Sequence, residues 1–331
     1  MNKKPIFSLD SMEKKPEETH GRNGHTYSGV EESVMDEESL ELTDEMDHEI
    51  LMHRDAHFGG DFDVMLLYYN SGGVGVDPDF DIGRITYLKE VEEQLSNNLA
   101  ALILTPEEMD RVAKARRSYE KLKEVYELGE EVARLPRMIA DLILTEEEEP
   151  QELIASIVEE GNRVIPELLD IVNTLAAYDP LSPGYGFAPG LAIICLGKLR
   201  AKEAIVPIFE RFGTDMVFEE EVLLEALQDL GESAKEFLLS IVKSRPITTD
   251  NIHAAFGLTC FPNDSSVATT AYEQLQDPDV RNKPLLSTYL LCACDALVGT
   301  PHKEAFIAMS KDPAISANMR LEIEAIVRDW K

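Results

Sequence analysis

Cations are scarce in this sequence: 31 Lys and Arg stand against 63 Asp and Glu, for a net charge of −32. A surface of that sign repels a phosphate backbone, so sequence-independent binding of nucleic acid is not expected. Docking on an anionic membrane leaflet is disfavoured for the same reason. The imbalance favours a protein partner with a basic face. Cysteine is sparse too, with only Cys195, Cys260, Cys292 and Cys294. All four fall in apolar helical segments, where the thiol serves as a small hydrophobe. Cys292 and Cys294 are too close in sequence for an ordinary disulfide, and no second pair completes a zinc ribbon. Long hydrophobic runs are absent: no stretch reaches the roughly 18 apolar residues of a membrane span. The first ten residues hold no apolar run of signal-peptide length. Together these absences lead to the expectation of a cytoplasmic protein in a reducing compartment, with no cofactor and no membrane insertion.

What is present is helical periodicity. Residues 1–35 are rich in Glu, Lys, Ser, Gly and Asn, a composition that cannot offset the entropy of ordering, so a disordered acidic tail is expected. Residues 36–83 are expected to form a small His- and Gly-rich module. It starts with an acidic helix to about His57, which Gly59 and Gly60 break, and Phe62–Tyr69 follows as a short helix or strand. Residues 84–150 are expected to form a helical hairpin. Ile85, Leu88, Val91, Leu95, Leu99 and Leu102 recur at helical steps and line one face. Thr105-Pro106-Glu107-Glu108 is a strong helix start, with Thr105 as N-cap and Pro106 at the first position. The helix after it carries Val112, Ala115, Tyr119, Leu122 and Tyr126 on one side, and Gly129 ends it.

After the acidic break at Thr145–Pro150 the helices shorten and their connections tighten. In the segment from Leu191 to Phe212, Ala192 lies in an Ala-containing helix that ends at Leu196-Gly197. Ala204 then opens the next helix, with Pro207 in its first turns. Ala226, Leu230-Gly231 and Ala234 repeat the beginning of this pattern, a step of about 34 residues. His253–Gly257 and Ala293–Gly299 are looser copies. This pattern resembles HEAT repeats of the short, phycobilisome-lyase-like kind, over residues 151–331 only. The resemblance implies an all-α fold, a right-handed α-solenoid of helix pairs that bury their apolar faces against neighbours. It further implies a scaffold or adaptor binding a partner on its concave face. A minority of the phycobilisome-lyase relatives attach bilins, and some DNA glycosylases use such a stack, but this sequence has neither a basic groove nor any sign of a chromophore partner.

Five patterns are candidates for chemistry or binding. His53 and His57 share a helix face and could hold a metal ion, with Asp61 or Asp63 adding a carboxylate. The alternative is that both imidazoles simply pack between the helix and the Gly-rich turn. The stretch His48-Glu49-Ile50-Leu51-Met52-His53 misses H-E-x-x-H by one residue, which is expected to turn Glu49 off the metal face. Asp77-Pro78-Asp79-Phe80-Asp81 has the alternating acids of a calcium loop but lacks its Gly and Glu, so Asp81 is expected to cap the next helix instead. Gly72-Gly73-Val74-Gly75 matches no phosphate-binding motif and is expected to be a turn. Arg111, Lys114, Arg116, Arg117, Lys121 and Lys123 form a basic stretch, read as a solvated face with i,i+4 pairs. Last, Asp179–Gly190 is a long connection bearing Tyr185 and Phe187, which either contact a partner or anchor the loop.

No complete catalytic set emerges. The leading expectation is a protein–protein adaptor that uses the concave face and the Tyr185/Phe187 loop. The alternatives are a metal-dependent enzyme or metal-binding module at His53, His57 and Asp61, and an acidic regulator that sequesters a basic protein through its tail.

Overall fold

In the computed structural model, the described residues are 45–73, 75–128, 130–145, 150–214 and 216–330. The expected tail at 1–35 and the start of the acidic helix at 36–44 lie outside them. Every regular element among the described residues is helical. They divide into two compact units: an N-terminal unit of residues up to Pro150 together with Thr174–Gly186, and a C-terminal unit of Gln151–Asn173 with Phe187 onward.

The N-terminal unit contains α1 (Glu45–His57), α2 (Phe62–Ser71), α3 (Ile82–Leu95), α4 (Leu99–Ile103), α5 (Pro106–Glu127) and α6 (Glu130–Leu144). α1 packs on α4 and α5, α2 on α3, and α5 on α6. The short run Phe62–Tyr69, ambiguous by pattern, is helical. Asp61 caps it, accepting hydrogen bonds from the backbone N–H of Asp63 at 2.8 Å and Val64 at 3.3 Å. The expected N-cap of α5 forms as a full capping box: Thr105 Oγ1 accepts from Glu108 N, and the Glu108 carboxylate accepts from Thr105 N.

Two expectations here need correction. The periodic run from Ile85 to Leu102 is not one helix, because Ser96 adopts φ 49° and ends α3, and Asn98 caps a new helix. The break rotates the apolar register, so Ile85, Leu88 and Leu99 are buried while Leu102 is exposed. Asp81 holds the N-cap position of α3 but its side chain makes no cap hydrogen bond.

Polar groups share the interior of this unit. Arg54 is fully buried on α1, and its guanidinium donates to Asp55 at 2.6 Å, Glu92 at 2.6 Å and Asn98 at 3.3 Å while lying 4.5 Å from the Phe62 ring centroid. Arg84 grips buried Asp47 with two 2.7 Å bonds. Buried charges persist only when paired and hydrogen-bonded, and these are. This is why α1 is interior despite a weak apolar pattern.

The C-terminal unit contains α7 (Gln151–Glu159), α8 (Ile165–Asn173), α9 (Ala188–Lys198), α10 (Ile205–Phe209), α11 (Glu221–Leu230), α12 (Glu232–Lys243), α13 (Thr249–Gly257), α14 (Ser265–Gln274), α15 (Pro278–Arg281), α16 (Pro284–Cys292), α17 (Lys303–Met309) and α18 (Ala317–Asp329). Packing follows chain order. α9 meets α7, α8 and α11; α12 meets α13 and α14; α13 and α14 meet α16; α16 and α17 meet α18.

Small residues set the spacing. Ala192, Ala204 and Ala234 are fully buried, and Gly197 faces α11 so closely that a Cβ there would lie 2.9 Å from the Ala226 Cα. Only glycine permits that approach, because backbone cannot swing aside. Fully buried Asn251 joins two helices: its amide donates to the carbonyls of Ile241 and Ser244 at the end of α12, and its oxygen accepts from Thr248 N at the start of α13. Cys195 and Cys294 are buried, Cys260 is half-buried, and Cys292 is exposed.

Candidate functional site

The sequence-flagged histidines lie in a cluster of rings and charges inside the N-terminal unit. α1 carries Glu45 and Asp47 in its first turn and Arg54 in its last, a distribution that complements the helix dipole. Glu49, His53 and His57 follow one another at single helical turns, so all three project from one side. Glu49 and His53 both feel Asp77, Asp179 and Arg111. Glu49 is therefore on the histidine face, not off it as expected, because a four-residue step keeps a helical face.

His57 is hydrogen-bonded at both nitrogens. Nε2 lies 2.9 Å from the Pro180 carbonyl, and Nδ1 lies 2.7 Å from the Tyr119 hydroxyl. A carbonyl only accepts, so Nε2 carries the proton, and neutral Nδ1 accepts from Tyr119. Burial, and then the neighbouring His53, push the His57 pKa down to about 3, although the Pro180 carbonyl opposes them. His53 is 4% exposed, and its Nδ1 has no hydrogen-bond partner. Its ring meets Phe80 edge-on at 5.1 Å and His57 at 5.3 Å. Burial pushes its pKa down to about 4, against the raising influence of Asp77 and Asp179. Glu49 is shifted in the opposite sense: burial raises its carboxyl above the usual range, and Arg111, at 4.0 Å, counters this.

The segment Thr174–Gly186 closes the cluster. Asp179 pairs with Arg111 at 3.3 Å, Pro180 accepts from His57, and the Tyr185 ring lies 4.3 Å from His57 and 5.9 Å from Tyr68. Tyr185 has φ 55°, a left-handed conformation rare for a non-glycine residue. Gly75 lies directly under the Tyr185 ring, where any Cβ would collide with it. The loop reading and the histidine reading thus meet in one place: Tyr185 is half-buried against His57.

Not every flagged residue joins the cluster. Phe187 is assigned to the C-terminal unit, half-buried at the start of α9. Asp61 caps α2, and Asp63 pairs with Lys89. Among the described residues no three His, Cys, Asp or Glu side chains converge on a point that could hold a metal ion. Of the basic stretch, Arg111 and Arg116 are paired with Asp179 and Asp55, and Lys114 makes an i,i+4 pair with Asp110. Arg111, Asp77, Asp179 and Tyr119 were not expected here. The Glu49–His53–His57 spacing was visible in the sequence, but their partners come from α5 and a distant loop. No known protein family, curated protein or solved structure matches this chain. No helix among the described residues is long and apolar enough to cross a membrane.

Proposed function

We propose that this chain is a protein-binding scaffold whose residues 151–331 form a HEAT-like solenoid, and that its partner presents a basic face. The observation that carries the reading is the close approach of Gly197 to Ala226. Gly197, in the last turn of α9, meets Ala226 in the middle of α11, the kind of close helix approach that stacked helix pairs use. Such stacks expose extended surfaces for partners, and the chain as a whole carries 63 acids against 31 cations. In the histidine cluster both nitrogens of His57 are engaged by Tyr119 and Pro180, which supports a packing role for that imidazole.

A peptide-display selection on the immobilised full chain tests the reading. Enrichment of Lys- and Arg-containing peptides, weakened by added salt, is the expected result. Enrichment of acidic or uncharged peptides, or of none, would overturn it.

A further inference from the structure

We infer that the cleft between α16 and the first turns of α18 binds a small apolar zwitterion, a free α-amino acid or a dipeptide, by its two charged ends. This goes beyond the scaffold reading, and neither depends on the other.

The cleft has a volume of about 620 Å³ and lies wholly within the C-terminal unit. Sites for compact ligands span about 300–1,000 Å³. Two opposite charges line it. Arg281 comes from α15, which packs on α16, and Glu322 from the second turn of α18. The two do not pair with each other, because Arg281 reaches instead to Asp312 at 3.8 Å. Opposite charges held apart in one cleft are complementary to a guest that carries both. A purely cationic guest would meet Arg281, and a purely anionic one would meet Glu322.

Each charge has capacity for such a guest. The Arg281–Asp312 contact is too long for a hydrogen bond, and Arg281 makes none among the described residues, so its guanidinium has donors left for a carboxylate. Its side chain is only 17% exposed, so water competes weakly there. Exposed Lys283, two residues on, raises the positive potential around it. Ala317 and Asn318 line the same cleft in the first turn of α18, where backbone N–H groups have no acceptor within the helix. Glu322 pairs with no cation among the described residues and is exposed, open to an ammonium. Arg320 does not answer it, because residues two apart on a helix do not face each other. The lining also includes Leu291 and Met319, both buried, and Leu321, which is 65% exposed. An aliphatic side chain resting on this wall leaves water.

Equilibrium dialysis of the full chain against leucine and against leucyl-leucine tests the inference. One of them is expected to bind saturably, one molecule per chain, with a Kd below about 1 mM. Whichever binds tighter tells a free amino acid from a dipeptide. Acetylating its amine, or converting its carboxylate to the amide, should each weaken binding about tenfold or more, as loss of one charged hydrogen bond implies. Arg281→Gln should weaken the unblocked ligand about tenfold yet cost nothing further against the amide. Glu322→Gln should behave likewise with the acetylated form. The blocked ligands probe the unaltered chain, so the result stands even where a variant folds poorly. No saturable binding up to about 10 mM, or equal binding of a blocked ligand, would sink the inference.

Discussion

The Tyr185 ring rests on the imidazole of His57, centroids 4.3 Å apart and planes inclined by 34°, and Gly75 fills the space beneath that ring. Adding a methyl group at Gly75 would force the ring away. Gly75→Ala is expected to destabilise the N-terminal unit by about 1–3 kcal/mol, as overpacking does. The loss should shrink when Tyr185 is already alanine, because the clash is then gone. Urea unfolding of both single variants and the double variant measures this coupling, and additive losses would disprove the contact's role.

Acid should weaken the same cluster. The folded pKa values of His53 and His57, about 4 and about 3, lie below the ordinary 6.5. Between those limits the unfolded chain binds protons that the folded chain refuses. The contribution is therefore complete above pH 6.5 and is lost as pH falls, by roughly 3 kcal/mol for His53 on reaching pH 4. His53→Leu should flatten that limb of the stability curve. It should not destabilise the protein at neutral pH, since the replaced Nδ1 has no partner. An acid limb as steep as the parent's would refute the assignment.

Removing the Arg54 guanidinium should cost far more than its surface counterparts. Arg54→Ala leaves Glu92 without its counter-ion and Asp55 with Arg116 alone. A loss of about 3–5 kcal/mol is expected, against less than about 1 kcal/mol for Lys114→Ala, whose pair with Asp110 is exposed. Chemical denaturation compares them directly, and similar losses would mean that the Arg54 network contributes little.

Gly197→Ala should destabilise the C-terminal unit by about 1–3 kcal/mol, because the new Cβ meets the Ala226 backbone and neither side can yield. Lys198→Ala, one residue on and exposed, should change stability by no more than about 0.5 kcal/mol. Thermal unfolding of the pair reports the difference.

The all-helical character was legible because it is a local property. The 3.6-residue spacing of Ile85, Leu88 and Val91, the capping signal at Thr105, and the stops at Gly59 and Gly60 act within a turn or two of themselves. The alanines and Gly197 of the C-terminal unit were legible for a related reason: a residue that must be small keeps its identity in the pattern. The break at Ser96 was not, since no glycine or proline marks it and its left-handed backbone depends on what α4 must reach. Beyond α8 and α16 the chain continues in 3-10 turns at Leu175–Tyr178 and Asp295–Gly299, which apolar spacing alone does not distinguish from α-helix.

The neighbours that each side chain would meet were beyond the sequence. His53, His57, Tyr185 and Asp61 stood out as chemical types, but their types do not say that Tyr119 and the Pro180 carbonyl would engage both nitrogens of His57, or that Asp61 would cap a helix instead. Those outcomes hang on contacts between α1, α5 and a loop far along the chain, and only chain closure brings them together. By itself the sequence determined the helices, the charge and the small-residue register, because these follow from residues acting on near neighbours. Only the tertiary structure decided which polar groups are buried, paired or left without a partner, because burial is a property of the surroundings.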